Sequence, residues 1–91
     1  MADRLSDEEI DRRLRGLAGW ERRGDEIRRT FAFADFAGSL AFVNHVGALA
    51  EAMDHHPDID VRYATVTLAL STHDAGGLTA LDFDLAGKIG G

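Results

Sequence analysis

Residues 35–53 constrain the fold of this chain more than any other stretch. At about 100° per residue, Leu49, Phe42, Met53, Val46, Ala50, Val43, Phe36, Gly47 and Leu40 fill a continuous arc of roughly half a helix circumference, with Ala37, Ala41, Ala48 and Ala52 mostly opposite. Such an arc is wider than one core-facing stripe. A chain of 91 residues buries only somewhat above ~60% of the surface its unfolded form exposes, which allows one modest core in one domain, residues 1–91. A helix this apolar is therefore expected to cover the sheet with one part of its surface and a second subunit with another, giving a homodimer or homotetramer through helix 35–53. Asp35, Ser39, Asn44, His45 and Glu51 interrupt the apolar run from Phe31 to Met53, so it does not read as a membrane span.

The chain contains no cysteine. That excludes a disulfide scaffold, a thiolate nucleophile, an iron–sulfur cluster and a thiolate zinc site, and leaves His, Asp and Glu to carry any chemistry. Sixteen acidic side chains stand against ten basic ones, for a formal charge of −6. Residues 1–30 hold eight acids and eight arginines and sum to zero, so the remaining 61 residues, with eight acids against Arg62 and Lys88, carry the whole −6. The arginine-rich start is internally compensated, and direct binding of a nucleic acid is not expected. The first residues, Met1-Ala2-Asp3-Arg4-Leu5-Ser6-Asp7, are charged from the third onward and lead into no apolar run, which does not read as a secretory signal; a cytoplasmic protein is expected.

Local patterns supply the other elements. Ser6-Asp7-Glu8-Glu9 has the capping-box spacing, followed by Ile10, Leu14 and Leu17 at helical intervals, with Gly16 or Gly19 as the stop. Trp20 to Arg23 and Glu26 to Phe33 flank the turn signal Gly24-Asp25 and read as a hairpin, with Ile27, Arg29, Phe31 and Phe33 on one face. After Pro57, Ile59, Val61 and Tyr63 alternate, then Val66, Leu68 and Leu70 share one face, and the parity shift at Ala64-Thr65 predicts a bulge or a break into two strands. Asp74-Ala75-Gly76-Gly77 is a turn, and Thr79 caps a last helix with Leu81, Leu85 and Ile89 on one stripe, ending at Gly90-Gly91. The predicted class is α+β, an antiparallel three- to four-stranded sheet with helices packed on one face, in the order α-β-β-α-β-β-α.

Three of the four histidines fall at element ends, where rigid scaffolds usually display functional groups. His55 and His56 follow the long helix, and His73 closes the last strand. Pro57 biases His56 toward extended backbone, so the two adjacent imidazoles should diverge and line two walls of a pocket rather than bind one metal together. Glu51, one helical turn before His55, is placed to face and orient it. Each residue also has a purely structural account: Asp82, three residues after Thr79, completes a helix cap, Trp20 and Tyr63 suit a core or strand, and Glu51 suits a solvated helix face. A mononuclear metal site from His55, His73 and Asp82 is a further reading. No phosphate loop, nucleotide fingerprint, His-Glu-x-x-His or Ser-His-Asp order is present.

Taken together, Glu51-x3-His55-His56-Pro57-x5-Tyr63-x9-His73-x8-Asp82 resembles the signature of the pterin-4a-carbinolamine dehydratases. The resemblance extends to Gly19-Trp20, Phe31-Ala32-Phe33-x-Asp35-Phe36, Ser71-Thr72-His73-Asp74 and Gly77-Leu78-Thr79, and so spans nearly the whole chain. It implies dehydration of 4a-hydroxytetrahydropterin to quinonoid dihydropterin, in support of tetrahydropterin recycling, with no metal and no redox cofactor. By position, His55, His56 and His73 inherit the acid/base and pterin-binding roles, with His55 and His73 exchanging protons and His56 on the pterin ring. Imidazoles, with a reference pKa of about 6.5, suit such work near neutral pH. Glu51 and Asp82 are carried over as orienting carboxylates and Trp20 as a pocket wall. Ile59 and Leu81 depart from the aromatic and the arginine that some members carry, which touches the pocket edge rather than the chemistry. The resemblance also implies a competing function, since members act as dimerisation cofactors of a homeodomain transcription factor and related domains lacking the histidines serve as assembly factors.

Overall fold

A computed structural model describes residues 3–90. The elements follow the predicted order: helix α1 (Asp7–Leu14), strands β1 (Glu21–Arg23) and β2 (Glu26–Ala32), helix α2 (Phe36–Met53), strands β3 (Asp58–Arg62) and β4 (Thr65–Leu70), and helix α3 (Ala80–Ile89). A short 3₁₀ turn, His73–Ala75, links β4 to α3. The strands form one sheet in the order β1-β2-β4-β3, every neighbouring pair antiparallel. This is the α+β architecture that the patterning predicts, with four strands rather than three.

Alternation decides which face of the sheet is covered. Val66, Leu68 and Leu70 of β4 and Ile27 of β2 are fully buried. They share one core with Ile10 of α1, Val46 and Ala50 of α2, and Phe83, Leu85, Ala86 and Ile89 of α3. Each of the Val, Leu, Ile and Phe side chains contributes about 1.5–3 kcal/mol when removed from water, and the two alanines less. On the opposite face Thr30 and Thr67 pair through their hydroxyls at 2.9 Å in solvent. The parity shift at Ala64-Thr65 resolves as a hairpin: Arg62 pairs with Thr65 across the two-residue turn Tyr63-Ala64, with Tyr63 in the left-handed region at φ 48°.

The caps bear out the local signals with one difference. Ser6 accepts the Glu9 N–H at 3.2 Å, but the Glu9 carboxylate turns to Arg12 and Arg13, at 3.0 and 3.1 Å, rather than back to the cap. The first helix ends at Leu14, before either glycine, and Gly19 turns the chain at φ 87°. Asp35 caps α2 by accepting the Gly38 N–H at 2.8 Å. The expected stop of α3 at Gly90-Gly91 is met at Gly90; Met1, Ala2 and Gly91 lie outside the described residues.

Helix α2 buries Ser39, Val46 and Ala50 and leaves Phe36 46% and Leu40 45% exposed. Ser39, read in the sequence as a polar interruption, is fully buried because its hydroxyl donates to the Tyr63 carbonyl at 2.6 Å, tying the β3–β4 turn to the helix. Phe42 packs against Phe31 and Phe33, with ring centroids 4.5 and 5.1 Å apart. Among the described residues, no helix is long and apolar enough to cross a membrane.

Candidate active site

The end of α2 determines where its two histidines go. Asp54 adopts the left-handed conformation at φ 50°, the Asp54 N–H bonds the Glu51 carbonyl, and the His55 N–H bonds the Ala50 carbonyl at 3.0 Å. This is the Schellman pattern, in which the second residue past the helix folds back against it. His55 occupies that position and is only 8% exposed. His56 is one step further and precedes Pro57, so its ring turns to the surface with its side chain 53% exposed. The predicted divergence of the two rings is what the structure shows.

Each ring meets a different carboxylate. His55 Nε2 lies 2.6 Å from Asp82 Oδ1 in a buried pair. His56 Nε2 contacts Glu51 Oε2 at the surface. The expectation that Glu51 orients His55 is therefore corrected. An i,i+4 contact requires the helix to continue through both residues, and here the left-handed Asp54 carries His55 off the helix surface toward α3.

Asp82 both completes the cap of α3 and meets His55. It sits at the third position of α3, where its Oδ2 accepts the Thr79 N–H at 3.0 Å and the Thr72 hydroxyl at 2.8 Å. Thr79 in turn caps the helix by accepting the Leu81 N–H at 3.2 Å. The residue is 0% exposed, and a buried carboxylate needs such donors to offset the loss of water. The remaining oxygen is thereby aimed at His55.

His73 opens the 3₁₀ turn after β4 and is exposed. The turn is closed by paired backbone bonds between Thr72 and Gly77, with Gly76 at φ 73°. His55, His56 and His73, with Asp54, Ser71, Thr72 and Asp74, line one open depression of about 230 Å³. Three imidazoles from two separate chain segments thus border a single hollow, one braced by a buried carboxylate, one beside an exposed carboxylate and one without a side-chain hydrogen bond among the described residues. Such a set can accept a proton at one point and deliver another elsewhere on a small bound molecule.

Two sequence candidates lie elsewhere. Trp20, expected as a pocket wall, is 6% exposed and packs edge-on against Phe31 with centroids 6.2 Å apart, because it enters β1 on the covered face of the sheet and joins the core. Tyr63 stands 70% exposed on the hairpin turn. His55, His73 and Asp82 do not converge as a metal-ligand set: among the described residues no three His, Asp or Glu side chains are so placed. Thr72 is the site residue that residue-by-residue reading missed; its only signal was the Ser71-Thr72-His73-Asp74 run. A larger hollow of about 490 Å³ lies by Gly19, Arg23, Arg28 and Arg29. Its arginines are held by Glu21, Glu26 and the carbonyls of Ala18 and Gly90, and no histidine is among the residues that line it.

Residues 3–91 match the family model described as pterin 4 alpha carbinolamine dehydratase. A protein of Roseiflexus sp. (strain RS-1), provisionally named pterin-4-alpha-carbinolamine dehydratase, is 61% identical over 98% of this chain and 96% of its own. A Chloroflexus aurantiacus protein with the same provisional name is 56% identical over 94% of this chain and 92% of its own. The crystal structure of a transcriptional coactivator/pterin dehydratase from Brucella melitensis superposes with a TM-score of 0.92 at 36% identity, covering 96% of this chain and 95% of that one. A pterin dehydratase-like protein identified as a RuBisCO assembly factor in the alpha-carboxysome shares the fold, with a TM-score of 0.62 at 22% identity over 77% of this chain and 81% of its own. The match along nearly the whole chain, in sequence and in fold, makes this protein a member of the pterin-4-alpha-carbinolamine dehydratase family.

Proposed function

We propose that this protein dehydrates a pterin-4a-carbinolamine, 4a-hydroxytetrahydropterin, to quinonoid dihydropterin, and so supports tetrahydropterin recycling in the cytoplasm. The observation that carries the reading is the grouping of His55, His56 and His73 around one depression. The elimination takes a proton from a ring nitrogen, forms a C=N bond and expels the 4a-hydroxyl with a second proton as water. It is redox-neutral and needs one proton acceptor and one proton donor on different parts of a flat bicycle. Positioned imidazoles supply both roles. His55, held by Asp82, and His73, open to the hollow, take the proton-exchanging roles; His56, beside Glu51, meets the pterin ring. A neutral bicycle requires no basic cleft, in keeping with a formal charge of −6. The test is direct: the purified protein, given enzymatically generated carbinolamine, should accelerate quinonoid dihydropterin formation over the uncatalysed rate, and no acceleration would refute the assignment.

A second reading is a protein-interaction module, in which α2 serves as a dimerisation or cofactor surface. Phe36 and Leu40, roughly half exposed on α2, favour self-association as a homodimer or homotetramer through that helix. The Brucella relative's description as a transcriptional coactivator supports a partner-binding role beside the enzymatic one. Retention of all three histidines ranks the enzyme first.

A further inference from the structure

We propose that Thr72 is a positioning residue: its hydroxyl, backed by Thr79, sets a one-way chain of hydrogen bonds into Asp82 that holds His55 as the Nε2–H tautomer and leaves Nδ1 as the nitrogen that exchanges protons with substrate. The activity arm of this proposal rests on the dehydratase reading; the tautomer arm does not.

The direction of the chain follows from what each group can do. An ionised carboxylate only accepts. Thr72 Oγ1, 2.8 Å from Asp82 Oδ2, therefore spends its single proton there. Thr79 Oγ1 is 2.8 Å from Thr72 Oγ1, and since the Thr72 proton is already committed, Thr79 is the donor. Oδ2 also receives the Thr79 N–H at 3.0 Å. Both donors to Oδ2 thus come from the scaffold, and Oδ1 faces His55 Nε2 alone at 2.6 Å. In a buried carboxylate–imidazole pair of this kind the proton stays on the ring. His55 then carries Nε2–H, and its basic lone pair lies on Nδ1.

Nδ1 is the free atom of the ring. It has no hydrogen-bond partner among the described residues and is not one of the occluded unpartnered side-chain atoms there, so it keeps solvent access on a residue that lines the depression. Glu51 is engaged with His56 and does not compete for it. Thr72 is well placed to act through its hydroxyl alone. Its backbone is pinned by reciprocal bonds with Gly77, at 3.0 and 3.3 Å, and by the Ala75 N–H on its carbonyl at 3.0 Å, none of which involves the side chain. The same residue joins the His73 turn to the His55–Asp82 pair, so the two proton-exchanging rings are held in register by one side chain.

The test reads tautomer and turnover separately. In protein with ¹⁵N-labelled histidine at a pH where the ring is neutral, the signals that vanish in His55→Ala should show Nε2 protonated and Nδ1 unprotonated. The reverse assignment overturns the proposal, and correlating the His55 ring to its own backbone makes the same assignment in the parent protein should His55→Ala fail to fold. Thr72→Val should lower kcat by about tenfold or more, the usual scale for an outer-shell orienting group, while KM stays within about twofold, and should mix the two tautomers. Thr72→Ser, which keeps the hydroxyl, should restore both. A Thr72→Val protein with the parent's kcat and tautomer overturns the role of Thr72. Absence of dehydratase activity in the parent protein would instead strike the proposed function and leave the tautomer measurement to decide this chain of bonds.

Discussion

His55 and Asp82, 27 residues apart in sequence, meet through Nε2 and Oδ1 at 2.6 Å in a buried pair. The carboxylate that braces the imidazole is also the one that completes the cap of α3. Site and scaffold therefore share a residue, and its substitution should be felt in both.

Asp82→Asn keeps the shape and can still accept the Thr72 and Thr79 donors through its carbonyl oxygen. Its amide then faces His55 as a donor and forces the opposite tautomer. Dehydration should fall by roughly 10²-fold or more, as when the orienting carboxylate of a catalytic imidazole is neutralised, with the fold retained. Asp82→Ala should in addition cost about 1–3 kcal/mol in denaturant unfolding, because it strands buried donors and removes a cap. Parent-like stability in Asp82→Ala would show that the cap is dispensable.

His55→Ala and His73→Ala should each lower the dehydration rate by roughly 10²–10⁴-fold. Their stabilities should separate. His73 is exposed, and its removal should stay within about 0.5 kcal/mol of the parent, whereas His55→Ala leaves the buried Asp82 oxygen without its partner and should cost about 1–3 kcal/mol. Rates within about threefold of the parent in both variants would contradict general acid/base work by these residues.

Glu51 contacts His56, and coupling should reveal a role for that contact. In kcat/KM, Glu51→Gln and His56→Ala should be non-additive, while Glu51→Gln and His55→Ala should combine additively, since residues that share a contact couple and those that do not generally add. The opposite pattern would restore the sequence-based pairing of Glu51 with His55. Thermal stability should barely change in Glu51→Gln, because both partners are largely exposed.

The exposed stripe of α2 sets the assembly expected of the protein. Sedimentation at micromolar concentration should give a multiple of the 9.9 kDa chain mass, and Leu40→Asp should reduce it to the monomer with an unchanged far-ultraviolet circular dichroism spectrum. A parent protein that sediments as a monomer would refute self-association through this helix.

Much of the scaffold was legible because its rules act over a few residues. Ser6 and Thr79 announce caps by their spacing to the next backbone donors, Pro57 separates the directions of His55 and His56, and the parity shift at Ala64 marks the hairpin. The burial of Ser39 and the side that Trp20 faces lie beyond such rules for one reason. Whether a hydroxyl on α2 is a polar interruption or a buried tie depends on the Tyr63 carbonyl, 24 residues away. Whether an aromatic beside β1 lines a pocket or the core depends on which sheet face the helices cover.

The sequence by itself determined the order of the elements, the α+β class and the display of three histidines at element ends, since capping, alternation and helical periodicity are local. Only the tertiary structure decided which carboxylate serves which imidazole. A single left-handed residue, Asp54, sends His55 inward, and burial of the shared core docks the start of α3 against the end of α2 so that Asp82 is waiting there. That pairing depends on packing between distant segments, and no spacing along the chain encodes it.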